Sequence, residues 1–155
     1  MIPEKLVEFI HGPVFLHVGT RDEKLRPSHA FAIGAVVNRD RETVTLFVPR
    51  GRSGKMLANL NENGKIALTA GSPSHEAYQL KGAYVSVRAA DEKDRAVQEI
   101  YRGKLWPFGV QCGYPEQIAK PLVLGFVYQP AVAITFRVEE VFLQTPGPEA
   151  GKRIA

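Results

Sequence analysis

A chain of 155 residues with 45% hydrophobic and 23% charged residues is long enough for one domain with a real core and too apolar to stay disordered. Its formal net charge of +4 favours anionic partners such as phosphates or anionic cofactors, but the cations are scattered, which argues against a nucleic-acid interface. A lone cysteine, Cys112, excludes an intrachain disulfide framework and points to a reducing, cytoplasmic setting, and no apolar run approaches the ~20 residues of a membrane span, so no membrane partner is expected.

Residues 3–10 read as a short helix with Pro3 at its first position and Leu6, Val7 and Ile10 on one face. Glu4, Lys5 and Glu8 interrupt any apolar run there, so the segment is not expected to be a signal peptide. Strands follow at 14–18, 29–37 and 43–48. The turns between them are too short for helical crossovers, which predicts an antiparallel meander. Residues 54–61 read as a helix, with Met56, Leu57 and Leu60 at helical spacing and Ser53 as the N-cap. Asn63 and Gly64 stop it, since that pair favours left-handed geometry.

Further strands are expected at 65–70 and 77–89. Asp91 then caps an amphipathic helix at 92–102, with Ala96, Val97, Ile100 and Tyr101 as its apolar face. Residues 103–125, rich in Gly, Pro and aromatic residues, read as irregular, and a last alternating strand covers 131–143. The tail 146–155 reads as loop. The sum is a mainly β, single-domain chain of six strands and three short helices. Because strands do not alternate regularly with helices, a Rossmann or TIM arrangement is excluded. A closed or partly closed antiparallel barrel fits instead, since closure removes exposed edges.

The sharpest chemical feature is the run Pro49, Arg50, Gly51, Arg52, Ser53, Gly54, Lys55. It joins a strand to a helix N-terminus, where free N–H groups and the helix dipole favour an anion. Glycines let a ligand approach the backbone and the cations supply charge-assisted hydrogen bonds. A basic surface turn is the plain alternative. The spacing is not that of a Walker A loop.

The order of elements and the stretches VFLHVGT, RPSHAFAIGAVV, TVTLFVP and SGKMLANLNENGKIAL resemble the FMN-binding split β-barrel of the pyridoxamine 5′-phosphate oxidase type, over residues 4–102. Asn59, Leu60 and Asn63 match its helix and helix stop. The resemblance implies a six-stranded antiparallel split barrel, FMN as cofactor and a homodimer with two flavin sites at its interface. It also implies site residues: Ser53 and Lys55 at the phosphate with Arg52 assisting, Arg50 as a substitute cation, and Gln79 holding the flavin. His29, Val48 and Pro49 then line the ring on the second and third strands. Residues 103–116 are expected to border the substrate space. The implied function is an FMN-dependent oxidoreductase acting on a small-molecule substrate, with reduced nicotinamide as a candidate donor. The alternative on the same barrel is a non-catalytic binder or sensor of flavin, deazaflavin or haem. The stretch Ala30 to Ala35 lacks the Arg and Lys of the named oxidase, Gly54 replaces a second cation, and residues 152–155 match its C-terminal Arg motif only faintly. Pyridoxamine 5′-phosphate oxidase activity itself is therefore not expected, and no catalytic residue is assigned.

Of the four histidines, His11, His17, His29 and His75, none forms a local metal-ligand spacing, so no metal is expected. His17 and His29 lie on neighbouring predicted strands, close enough to meet. Cys112 has no activating partner in the sequence and reads as an ordinary thiol. Phe108, Trp106 and Tyr114 are expected to pack, with stacking on a flavin or substrate as the alternative.

Overall fold

The computed structural model describes residues 1–124 and 130–155. The elements in chain order are α1 (Glu4–Ile10), β1 (Phe15–Arg21), β2 (Pro27–Phe31), β3 (Ala35–Val37), β4 (Thr43–Pro49), α2 (Arg50–Asn63), β5 (Lys65–Gly71), β6 (Ala77–Ala89), α3 (Glu92–Gln111), α4 (Glu116–Leu124) and β7 (Ala131–Leu143). The strands form one antiparallel sheet of seven in the order β2-β1-β5-β6-β7-β4-β3.

The count is seven rather than six because the run expected as one strand over 29–37 begins at Pro27 and divides into β2 and β3. The first half pairs with β1 and the second with β4. The changeover falls where the Ala32 N–H donates to the Leu16 carbonyl at 2.9 Å and the Ile33 N–H to the Phe47 carbonyl at 2.7 Å. One continuous run therefore supplies both end strands of the sheet and closes the barrel. The expected meander is correct in its contacts, but its middle strand shares its length between its neighbours. Gly34 makes the break possible. Its φ of 131° is open only to glycine, and a Cβ would stand 3.3 Å from the Phe47 ring.

Strand alternation sends one side chain in two into the barrel. Leu16, Val18, Val44, Leu46, Val48, Ile66, Leu68, Ala70, Leu80, Ile134 and Phe136 are buried there, joined by Leu6 and Ile10 of α1 and Met56 and Leu60 of α2. Phe47 belongs to a second cluster with Ala131 and Ala133, against which Val97 of α3 packs. β6 is the long staple, pairing with β5 along its first half and with β7 along nearly all of its length. A register shift follows Lys81. There Gly82 lies so close to the neighbouring chain that a Cβ would meet the Arg137 carbonyl oxygen.

Pro3 is the N-cap of α1 rather than its first residue. Helix α2 begins at Arg50, not Gly54, and its N-cap is Pro49. Ser53 is therefore not the cap. It lies inside the first turn, and its hydroxyl donates to the Arg50 carbonyl at 3.0 Å. The expected stop holds: Gly64 takes φ 66° and its N–H reaches the Leu60 carbonyl. Asp91 caps α3 through a capping box with Asp94. That helix runs on to Gln111, through Pro107, and α4 follows, so the segment from 103 is mostly helical rather than irregular. Position 125, its expected end, lies outside the described residues. In the tail, Arg153 forms an antiparallel bridge with Phe142.

Candidate functional site

β4 delivers the chain to the first turn of α2. Val48 is buried in the barrel and Pro49 is half-buried, while Arg50, Gly51, Arg52, Gly54 and Lys55 are exposed. The Arg50 N–H is taken by the Pro130 carbonyl at 2.7 Å. The N–H groups of Gly51 and Arg52 come too early in the helix for an intrahelical acceptor. No acidic residue stands in this turn, and among the described residues no atom beyond the chain neighbours and the helix's own backbone lies within 4 Å of a Cβ position at Gly51 or Gly54. The turn is thus open, basic and backbone-accessible, which is what a phosphate requires. Ser53 is 2% exposed and shapes the turn from inside through its bond to Arg50.

Lys55 is not idle. Its ammonium lies 3.5 Å from the Asp22 carboxylate, a residue the sequence reading passed over. Asp22 opens the β1–β2 hairpin. It accepts from the Arg26 N–H at 2.9 Å and from Arg26 Nε at 2.8 Å. The backbone bond from Arg26 does most to hold its carboxyl below the usual range, aided by the Arg26 and Lys55 charges against the opposing effect of burial. An aspartate followed four positions on by an arginine in a short polar turn was the available signal. Deeper in the same contact, Asn59 Nδ2 donates to Thr20 Oγ1 at 3.0 Å, and Asn63 Nδ2 donates to the Arg21 carbonyl at 2.8 Å. These bonds fasten α2 along β1.

Two other expected residues share the outer face of the sheet. Phe31, His17, Thr69, Gln79 and Phe142 are successive cross-strand partners over β2, β1, β5, β6 and β7. The next row is His29, Gly19, Ala67, Lys81 and Glu140. His29 and Gln79 thus face the same way with β1 and β5 between them. Gln79 Nε2 donates to Thr69 Oγ1 at 3.4 Å, and the Lys81 ammonium lies 4.4 Å from the centre of the Phe142 ring. The middle of the face is made flat by Gly19, Ala67 and Gly71, and Phe15 and Phe31 stand exposed at its edge. His17 Nδ1 and His29 Nε2 are 3.0 Å apart. Burial, with His29 nearby, holds the His17 imidazole below its ordinary value.

A cavity of about 520 Å³ lies beside this edge, between the barrel closure and the helices α3 and α4. Phe15, Phe31, Leu105, Phe108, Cys112 and Tyr114 are among its walls, and Phe15 meets Phe108 edge-on with ring centres 4.4 Å apart. Residues from the 103–116 stretch border this space, Leu105 and Phe108 from α3 and Cys112 and Tyr114 from the turn that follows it. Trp106 instead packs against the main core.

From the middle of α3, Tyr101, which also lines this cavity, donates its hydroxyl to the Val14 carbonyl at 2.8 Å, and burial raises its phenol far above the ordinary value. His11 accepts at Nε2 from the Val37 N–H at 3.0 Å, so that nitrogen must be bare. Burial, then the nearby Lys104 charge, lowers its pKa.

Among curated protein sequences none matches the chain. Solved structures do. HupZ of Group A Streptococcus is 19% identical with a TM-score of 0.58, covering 97% of this chain and 100% of that one. An F420 reductase is 13% identical with a TM-score of 0.55, covering 90% and 98%. An FMN-binding protein from Syntrophomonas wolfei is 12% identical with a TM-score of 0.51, covering 90% and 86%. At these identities the likeness is one of fold, the antiparallel barrel with short helices. A family profile described as pyridoxamine 5′-phosphate oxidase matches residues 2–144, and by that match the chain belongs to the pyridoxamine 5′-phosphate oxidase family.

Proposed function

We propose that the protein is a homodimeric flavoprotein that binds FMN and uses it in redox chemistry on a small molecule. The observation that carries this reading is the first turn of α2, with its exposed cations, its early N–H groups and no carboxylate of its own. Arg50, Arg52 and Lys55 neutralise the phosphate, while the Gly51 and Arg52 N–H groups orient it. Ser53 holds the turn in shape. Lys55 shares its charge between Asp22 and the incoming phosphate. His29 of β2 and Pro49 of β4 serve the ring and Gln79 donates to its polar edge, while Val48, expected at the ring, is buried in the barrel and supports them only from inside.

When bound, FMN supplies a two-electron acceptor and donor, which suits hydride exchange with a substrate or a reduced nicotinamide. The chain's own part is to bind, orient and exclude water. The apolar cavity at Phe31, Phe108 and Tyr114 receives an apolar or aromatic portion of the substrate. A second copy of the chain covers the flat outer face, where exposed Phe15 and Phe31 flank small residues. Titration of flavin-free protein with FMN tests the reading. Saturable quenching of flavin fluorescence is expected, and its absence contradicts it.

A second reading is favoured by Ala30 and Ala35, which are buried in the barrel and bring no cation to the phosphate. On it the protein holds a flavin, deazaflavin or haem without turning over. Tight binding with no reduction of the bound flavin by reduced nicotinamides distinguishes the two.

A further inference from the structure

We propose that His17 and His29 form a two-histidine site for a divalent transition-metal ion on the outer face of β1 and β2. His17 Nδ1 and His29 Nε2 face each other at 3.0 Å. Two imidazole nitrogens bound to one ion at ~2.1 Å and at right angles stand about 3.0 Å apart. The pair is thus already spaced as two adjacent ligands of an octahedral or square-planar ion, with only a small opening needed for a tetrahedral one.

The rings are held by their surroundings. His17 and His29 are diagonal neighbours on paired strands, so their backbones are fixed by the barrel. The Phe31 ring packs on both, at 4.6 Å from His17 and 5.2 Å from His29 between centres. Space for the ion and its other ligands is present, since among the described residues nothing beyond its chain neighbours lies within 4 Å of a Cβ position at Gly19, the residue opposite His29. No cluster of three or more metal-ligating side chains occurs among the described residues, so water or a bound anion completes the shell. In the free protein one facing nitrogen carries the proton of the hydrogen bond. Metal binding requires that this proton move to the other nitrogen of the same ring, which keeps both rings neutral, and that both rings tilt, since their centres are 5.2 Å apart and the facing lone pairs point at each other until they turn together onto the ion. Imidazole ligands and an open shell favour the late divalent ions, with Cu(II) above Ni(II) and Co(II).

The metal site shares His29 and its face of the sheet with the proposed flavin ring and dimer contacts, so its test uses flavin-free protein without a histidine tag, in which metal binding is read separately from FMN binding. Calorimetric titration with Cu(II) or Ni(II) alone is expected to show one ion per chain. His17→Gln and His29→Gln should each weaken binding at least tenfold, while His75→Gln, on an exposed turn, leaves it unchanged. Electron paramagnetic resonance of the Cu(II) form should show hyperfine splitting from two nitrogens in the wild type and from fewer in either variant. Wild-type protein that binds neither ion, or single variants that bind as well as the wild type, would overturn the site and leave a simple hydrogen-bonded pair.

Discussion

Lys55 illustrates how much a single side chain is asked to do. Its ammonium lies near the Asp22 carboxylate at 3.5 Å, yet it stands one turn from the proposed phosphate and is more than half exposed. Replacing it with alanine should weaken FMN binding by about 1.5 to 3 kcal/mol, the range for a hydrogen bond to a charged group. An unchanged dissociation constant would remove Lys55 from the site. Asp22→Asn should act oppositely on the ligand, tightening FMN by freeing the lysine, while loosening the β1–β2 hairpin that Asp22 ties to Arg26. Gly82 is a structural counterpart. With the Arg137 carbonyl oxygen where its Cβ would be, Gly82→Ala forces β6 and β7 apart. A loss of about 3 kcal/mol in urea unfolding is expected, and a loss below ~1 kcal/mol would mean that the two strands part easily at this bulge.

Among the elements, those with strong periodicity were legible and those governed by distant contacts were not. Alternation at 131–143 identified β7, because a buried face leaves its mark on every second residue, and the β-favouring Tyr84, Val85 and Val87 identified β6. Asp91 and Asn63 with Gly64 marked real helix ends for local reasons. The division of 27–37 left no local mark, since the chain stays extended throughout and only its partners change. Gly34 was the one clue. The helical stretch from 103 was hidden by Gly103, Pro107 and Gly109, residues that disfavour a helix locally. Burial of Leu105 and Phe108 outweighs that preference. At the site the sequence identified the basic turn but set the helix start at Gly54, four residues late, and so made Ser53 a cap. It missed Asp22 because nothing in the local pattern shows that β1 and α2 will meet. The capping box gives a check at this scale. Asp91→Ala should cost about 1 kcal/mol of stability in urea unfolding, and an unchanged stability would mean that the box adds nothing to α3.

For the molecule as a whole, two lowered imidazoles set a pH dependence. His11 must be neutral to accept from Val37, and both it and His17 have pKa values pushed below the ordinary 6.5. The unfolded chain therefore takes up protons before the folded one as pH falls. The stability these groups contribute is fully present above pH ~6.5 and is lost as pH drops below that through the lowered folded values. Thermal unfolding between pH 7 and 5 should show the fall, and His11→Gln should flatten it. A wild-type profile that is level over this range would contradict the neutral His11 that accepts from Val37. Assembly is the other property at this scale. If a second copy covers the outer face, sedimentation should show a dimer, and substituting Phe31 with a charged residue should dissociate it.

The central claim is that the first turn of α2 is the phosphate end of an FMN site. Its most direct measurement is a fluorescence titration of flavin-free protein with FMN and with riboflavin, which lacks the phosphate, in the wild type and in an Arg52→Ala, Lys55→Ala double variant. The expected result is saturable FMN binding by the wild type, far weaker binding of riboflavin, and loss of that preference in the double variant. Equal affinity for the two flavins in the wild type, or an FMN preference that survives both substitutions, would contradict it.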